Sequence, residues 1–122
     1  MHANEKIIRE FIAAWSRLDP AELIAYFTED GVYHNMPGPP VAGRANVEKL
    51  IRGFLSSWTH TSWEILTLVC EGDVVIAERV DRTKAGAKAV DLPCCGVFQM
   101  RGGKIAVWRD YFDMGTYMKA MA

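Results

Sequence analysis

The stretch Val74-Val75-Ile76-Ala77-Glu78-Arg79-Val80-Asp81-Arg82-Thr83 decides how this chain is read. Its β-branched residues and alternating pattern mark a strand, in which residues two apart share a face. Val75, Ala77, Arg79, Asp81 and Thr83 then lie on one side. A second stretch, Trp108-Arg109-Asp110-Tyr111-Phe112-Asp113, alternates in the same way and groups Asp110 with Ala106, Trp108 and Phe112. If both faces look into one cavity, the chain owns a carboxylate–guanidinium–carboxylate set inside an apolar pocket.

Working outward, strand-like runs cover Thr61 to Cys70, Val74 to Thr83, Val90 to Met100 and Lys104 to Phe112. The separators Glu71-Gly72-Asp73, Lys84-Ala85-Gly86-Ala87-Lys88 and Arg101-Gly102-Gly103 are turn sequences of hairpin length. Before them, Ile7, Ile8, Phe11, Ile12, Trp15 and Leu18 recur at helical spacing, with Asn4 and Glu5 as the expected start. Asp19-Pro20-Ala21-Glu22 has the form of a capping box, predicting a short helix that buries Leu23, Ile24 and Phe27 and breaks at Asp30-Gly31. Val32 to Met36 reads as a short strand, with Tyr33 and Asn35 on one face, ahead of the loop Pro37-Gly38-Pro39-Pro40. Val47, Leu50, Ile51, Phe54, Leu55 and Trp58 form a helical stripe between Ala45 and Trp58, and Asp113 is placed to cap a last helix through Met121.

Helices followed by a meander of strands predict an α+β fold, a curved mixed or antiparallel sheet with helices across its concave face. One domain over residues 1–122 is expected. Strand parity gives the cavity lining as Tyr33, Asn35, Arg79, Asp81, Leu92, Cys94, Phe98, Trp108, Asp110 and Phe112, with Met36, Phe54, Trp58 and Thr83 as further pocket residues. Val74, Ile76, Val80, Val97, Ile105, Val107 and Tyr111 fall on the opposite face. That face is too apolar for water and predicts a homodimer.

Composition narrows the class. The formal charge of −1 gives no electrostatic reason to expect nucleic acid or an anionic membrane. No apolar run reaches membrane-spanning length, and the charged start Met1-His2-Ala3-Asn4-Glu5-Lys6 is unlike a secretory signal, so a cytoplasmic location is expected. The first helix is expected close to the N-terminus, without an arm long enough to cover the pocket. Cys70, Cys94 and Cys95 are odd in number and lack zinc-ligand spacing, so they read as reduced thiols. His2, His34 and His60 have no partners at metal spacing.

Tyr33-x-Asn35-Met36-Pro37, Glu78-Arg79-Val80-Asp81, Gly96-Val97-Phe98-Gln99 and Trp108-Arg109-Asp110-Tyr111-Phe112-Asp113 together resemble the limonene-1,2-epoxide hydrolase family. The similarity runs in matching order from the first helix to Asp113. It implies the cone-shaped fold of nuclear-transport-factor-like and polyketide-cyclase-like proteins, a dimer, and no metal or organic cofactor. Carried over by position, it implies an Asp–Arg–Asp triad of Asp81, Arg79 and Asp110, with Asp110 as base and Asp81 as acid. Tyr33 and Asn35 would hold a water beside Asp110. The implied reaction is direct attack of water on a small apolar epoxide to give a vicinal diol. The chemistry suits these side chains, because opening the ring needs a base for water and an acid for the ring oxygen together. Two close carboxyl groups resist double ionisation, so one shared proton is expected. Thr83 and Cys94 stand where the family prefers larger aliphatic residues, which would widen the pocket or make it more polar near Asp81.

Each residue also has a plainer reading. Arg79 and Asp81 alone fit a structural ion pair, Asp110 a satisfied core acid, Tyr33 a core aromatic and Asn35 a turn former. Two rival functions share the fold: a ketosteroid-isomerase-like or cyclase activity, and non-catalytic binding of a small ligand. Arg79 speaks against the first, since it would ionise the donor acid. The cost of burying three ionisable groups merely to bind speaks against the second.

Overall fold

In the computed structural model, which describes residues 2–122, the strand runs form one open, curved six-stranded sheet. The elements are α1 (Ala3–Ala14), α2 (Pro20–Ile24), β1 (Phe27–Asn35), β2 (Val41–Ala42), α3 (Arg44–Ser57), β3 (His60–Glu71), β4 (Val74–Ala85), β5 (Lys88–Arg101), β6 (Lys104–Phe112) and α4 (Met114–Met121). Their order across the sheet is β2-β1-β6-β5-β4-β3. From β3 to β6 the strands pair antiparallel through tight turns, whereas β1 returns to pair with β6 in parallel. That parallel pairing matters for the site, because it sets Tyr33 beside Trp108 and Asn35 beside Asp110.

The helices begin where local chemistry satisfies their free N–H groups. Asp19 accepts from the N–H groups of Ala21 and Glu22, and Asp113 from that of Thr116. The first helix departs from expectation: His2, not Asn4, caps it. Asn4 is instead buried in the first turn and donates to the Gly72 carbonyl, tying α1 to the β3–β4 turn.

The apolar faces of α1 and α3 meet the inner face of the sheet. Ile8, Phe11, Ile12, Trp15, Val47 and Ile51 pack with Val75, Ala77, Phe98, Ile105 and Trp108 in one core. Phe11 sits edge-on to Trp15, Phe27, Phe98 and Trp108, an arrangement aromatic quadrupoles favour.

Five sequence expectations change. Phe27 does not belong to the second helix, which ends at Ile24; it opens β1, and the strand runs through Asp30-Gly31 instead of breaking there. The β1–β6 register slips between Phe27 and Val32, and a Cβ on Gly31 would lie 3.0 Å from the Thr28 carbonyl, so glycine admits the irregularity. The loop after Pro37 contains β2, too short for periodicity to reveal. Ile105, assigned to the outer face, is fully buried in the core. A register shift at Gln99/Met100 inverts the alternation, so Ala106 does not share the side of Trp108 as simple parity requires.

Candidate active site

Arg79 lies on the inner face of β4, in the alternating buried series Val75, Ala77, Arg79, Asp81, Thr83. It is fully buried, and a buried guanidinium needs acceptors for its fork of N–H groups. Two carboxyl groups supply them. Nε and Nη2 donate to Asp81 Oδ1 and Oδ2 at 3.0 and 2.9 Å; Nη1 and Nη2 donate to Asp110 Oδ1 and Oδ2 at 2.9 Å each. The sequence expectation that β4 and β6 face one interior is met by this double fork.

Surrounding residues fix its plane. The Trp63 ring lies 4.7 Å from the guanidinium carbon, within cation–π range. Trp108 Nε1 donates to Asp110 Oδ1 at 3.2 Å, and its ring stacks on Tyr33 at 4.1 Å. Beneath the set runs Gly96 of β5, register partner of both Ala77 and Asp110. A Cβ there would fall 2.7 Å from Arg79 Nη1, 2.9 Å from Asp110 Oδ1 and 3.0 Å from Trp108 Nε1. Glycine at 96 is therefore a condition for the triad's geometry.

Burial shifts the site's titrations. It raises the pKa of Asp81 above the ordinary carboxyl value, although Arg79 opposes it. For Arg79 burial works against the charge, but Asp110 and Asp81 outweigh it and hold the pKa well above the usual value. Burial, then Asp110, pushes the Tyr33 phenol well up, so Tyr33 stays a neutral donor. Burial and Asp81 raise the Cys94 thiol far above its ordinary value.

The set opens into a cavity of about 80 Å³, room for several waters at ~10–15 Å³ each. Tyr33, Asn35, Asp81 and Asp110 line it with Phe54, Trp58, Leu92 and Phe112, as the sequence suggests. Trp63, Met114 and Tyr117 also line it, and the sequence reading missed them. Trp63 shares the inward parity of Thr61 on β3; Met114 and Tyr117 are three apart on one side of α4, a spacing that could have pointed to them. Tyr117 also receives a hydrogen bond from Trp58 Nε1 at 3.0 Å, joining α3 to α4 across the pocket.

Other expected wall residues sit elsewhere. Phe98 and Trp108 are fully buried in the core beneath the triad, because helix α1 packs over that end of the sheet. Thr83 turns its hydroxyl to Thr61 Oγ1 at 2.7 Å, and Met36 is outside the wall, although its N–H donates to the Asp110 carbonyl at 2.9 Å. Cys94 lies behind Asp81, with Sγ 3.4 Å from Oδ2. Ligand atoms of Asp81, Cys94 and Asp110 come within 4.8 Å of one another, but both carboxyl groups are already engaged by the Arg79 cation, which would repel a metal ion.

A sequence model of the limonene-1,2-epoxide hydrolase catalytic domain matches residues 2–122. This chain belongs to the limonene-1,2-epoxide hydrolase family. Among curated relatives of the limonene-1,2-epoxide hydrolase domain, the epoxide hydrolase EphG of Mycobacterium tuberculosis is 28% identical over 114 residues, covering 93% of this chain and 76% of that protein. The solved structure of an M. tuberculosis LEH-like epoxide hydrolase superposes with a TM-score of 0.84 at 27% identity, covering 97% of this chain and 88% of that one. An NTF2-like protein of unknown function from Burkholderia pseudomallei has a TM-score of 0.88 at 18% identity, covering 100% and 99%, a likeness of fold alone. Family membership in the limonene-1,2-epoxide hydrolases thus accompanies a pocket whose charged groups all belong to one hydrogen-bonded set.

Proposed function

We propose that this chain, acting as one catalytic domain, hydrolyses a small, largely apolar epoxide to a vicinal diol by direct attack of water. The observation that carries the reading is the doubly forked Arg79, which holds two carboxyl groups of different surroundings at the floor of an aromatic pocket. Asp110 takes a proton from water as the water oxygen attacks a ring carbon. Asp81 gives a proton to the ring oxygen as the carbon–oxygen bond breaks. The diol leaves with Asp110 protonated and Asp81 ionised, and one proton returned from the first to the second restores the site.

The raised pKa of Asp81 supports the acid role, because an acid must hold its proton at working pH. Asn35, the register partner of Asp110, and the buried phenol of Tyr33 line the same pocket, which supports a role for both in orienting the water. Neither step needs a metal or organic cofactor. Positioned proton transfers typically contribute ~10²–10⁴-fold each, so the pair accounts for a large share of an enzymic rate.

The working unit in this reading is a homodimer closed over the outer sheet face. Val69, Ile76 and Val97 form a cross-strand apolar row there, and Val69, Val74 and Tyr111 are exposed. The chain contains no helix long and apolar enough to cross a membrane among the described residues, and the reading places it in the cytoplasm.

The test is a panel of racemic and meso epoxides, cyclic and disubstituted, incubated with the protein in heavy-oxygen water. Diol carrying the label from the first turnover supports direct attack. Label appearing first in an aspartate side chain would instead mean an ester intermediate and would refute the mechanism.

A further inference from the structure

The two carboxyl groups of the triad differ in one neighbour. Asp110 Oδ1 accepts from Arg79 Nη1 and Trp108 Nε1, while its Oδ2 accepts from Arg79 Nη2 alone. On Asp81 the crowded atom is Oδ2, with Arg79 Nη2 at 2.9 Å and Cys94 Sγ at 3.4 Å; Oδ1 accepts from Arg79 Nε alone. A carboxylate oxygen offers about two acceptor positions, so each group keeps one open, at Asp110 Oδ2 and Asp81 Oδ1. These are the atoms left for the reaction's two proton transfers.

Trp108 and Cys94 fill equivalent places but are different donors. The indole N–H is fixed by the ring. The thiol rotates, and Sγ also lies 3.2 Å from the Leu92 carbonyl oxygen. One S–H proton cannot serve both acceptors. While Asp81 is a neutral acid, the Leu92 carbonyl is the better acceptor; once Asp81 is ionised, the charged oxygen is.

We propose that Cys94 is a positioning residue for the acid, its thiol proton swinging from the Leu92 carbonyl to Asp81 Oδ2 as Asp81 Oδ1 delivers its proton to the substrate oxygen. The inference rests on the acid role given to Asp81 above. In the step, the O–H bond at Asp81 Oδ1 breaks, its electron pair stays on the carboxyl group, and the proton joins the leaving oxygen. The S–H bond stays intact throughout, as suits a thiol whose ionisation is strongly opposed by burial and by Asp81. Negative charge grows on Asp81 during this step, so a donor aimed there acts on the transition state more than on bound substrate. A thiol is a weak donor, so the effect on rate is a few-fold.

Asp110 from β6 and Tyr33 from β1 line the pocket with Asp81, while Arg79 on its own strand and Cys94 from β5 touch Asp81 from behind; β3 presents Trp63, α3 and the residue after it present Phe54 and Trp58, and α4 presents Met114 and Tyr117. Among the partners that donate to Asp81, Cys94 can be changed without touching the base, the guanidinium or the water site.

The experiment compares wild type, Cys94→Ser and Cys94→Ala by two readouts: the pH profile of kcat/KM, and titration of the Asp81 carboxyl by isotope-edited infrared spectroscopy without substrate. Serine, the stronger donor, is expected to move the alkaline limb and the Asp81 titration to lower pH. Alanine is expected to move both to higher pH and to lower kcat a few-fold, with KM changed by less than about twofold. Shifts of the same sign in both variants, or none in either, would overturn the proposal. A protein in which Asp81→Asn keeps full turnover would refute the acid assignment. The infrared titration still decides whether the thiol donates to Asp81.

Discussion

Arg79 and Asp110 stand 31 residues apart in sequence and are joined by two hydrogen bonds of 2.9 Å inside the sheet. The same guanidinium holds Asp81, two residues along its own strand, by another two. One cation thus holds both acids, and with a single proton shared between them the set carries no net charge, the state that the proposed acid–base pair requires.

Replacing a member of this set separates chemistry from stability. Asp81→Asn and Asp110→Asn should each lower kcat by about 10²–10⁴-fold on any epoxide the wild type turns over. Arg79→Met should abolish turnover and also destabilise the fold by about 3–5 kcal/mol, because it leaves two buried carboxyl groups without their shared cation. Steady-state kinetics and thermal denaturation read the two effects; near wild-type rates in either asparagine variant would contradict the assigned roles.

Gly96→Ala should disrupt the triad without adding or removing a charge. The new methyl meets Arg79 Nη1, Asp110 Oδ1 and Trp108 Nε1 inside normal contact distance. Overpacking of this kind costs about 1–3 kcal/mol, and because it displaces the guanidinium, activity should fall further than stability. Gly53→Ala in α3 is the control, since a Cβ there meets nothing within 4 Å. It should raise stability by about 0.5–1 kcal/mol and leave turnover unchanged.

The raised pKa of Asp81 fixes the sign of two pH effects. As the acid, Asp81 must be protonated, so kcat/KM should decline as pH rises through its raised value. For stability, the folded state holds the Asp81 proton more tightly than the unfolded chain does. That contribution is fully present below the unfolded value of about 3.9 and is lost as pH rises through the folded one. Denaturant titrations of wild type and Asp81→Asn should therefore diverge in that window, and parallel curves would show that Asp81 is not the titrating group.

Tyr33→Phe tests the water site with little risk to the fold. Its ring stacks on Trp108 at 4.1 Å and meets Phe54 edge-on, contacts that phenylalanine keeps. Only the hydroxyl is lost. The expected outcome is a fall in kcat of tenfold or more, roughly 1.4 kcal/mol in the barrier, with an unchanged melting temperature. An unchanged kcat would remove Tyr33 from the mechanism.

The outer face of the sheet gives the last prediction. Val69→Lys sets a charge in the row of Val69, Ile76 and Val97. Sedimentation should show a dimer for wild type and a monomer for the variant. A monomeric wild type would disprove pairing over this face.

Much of this was legible in the chain because strands report their faces directly. The two-residue repeat around Arg79 and Asp81 survives intact in β4, so both residues could be assigned to the interior from their neighbours. The same rule failed at Ile105, where an irregular register resets the alternation, and helical spacing misled at Phe27, where β1 starts ahead of the glycine that reads as a break. Bulges depend on how two strands fit each other, and one strand's composition does not record that.

The sequence by itself determined the α+β layout, the inward charged pair on β4, the acid on β6 and the caps at Asp19 and Asp113, because each is set by residues close along the chain. Only the tertiary structure decided that one guanidinium meets both acids, that Gly96 clears room for it, that Trp63 covers it and that Cys94 reaches Asp81. Those contacts join strands distant along the chain, and their existence rests on curvature, register and the space left between packed side chains.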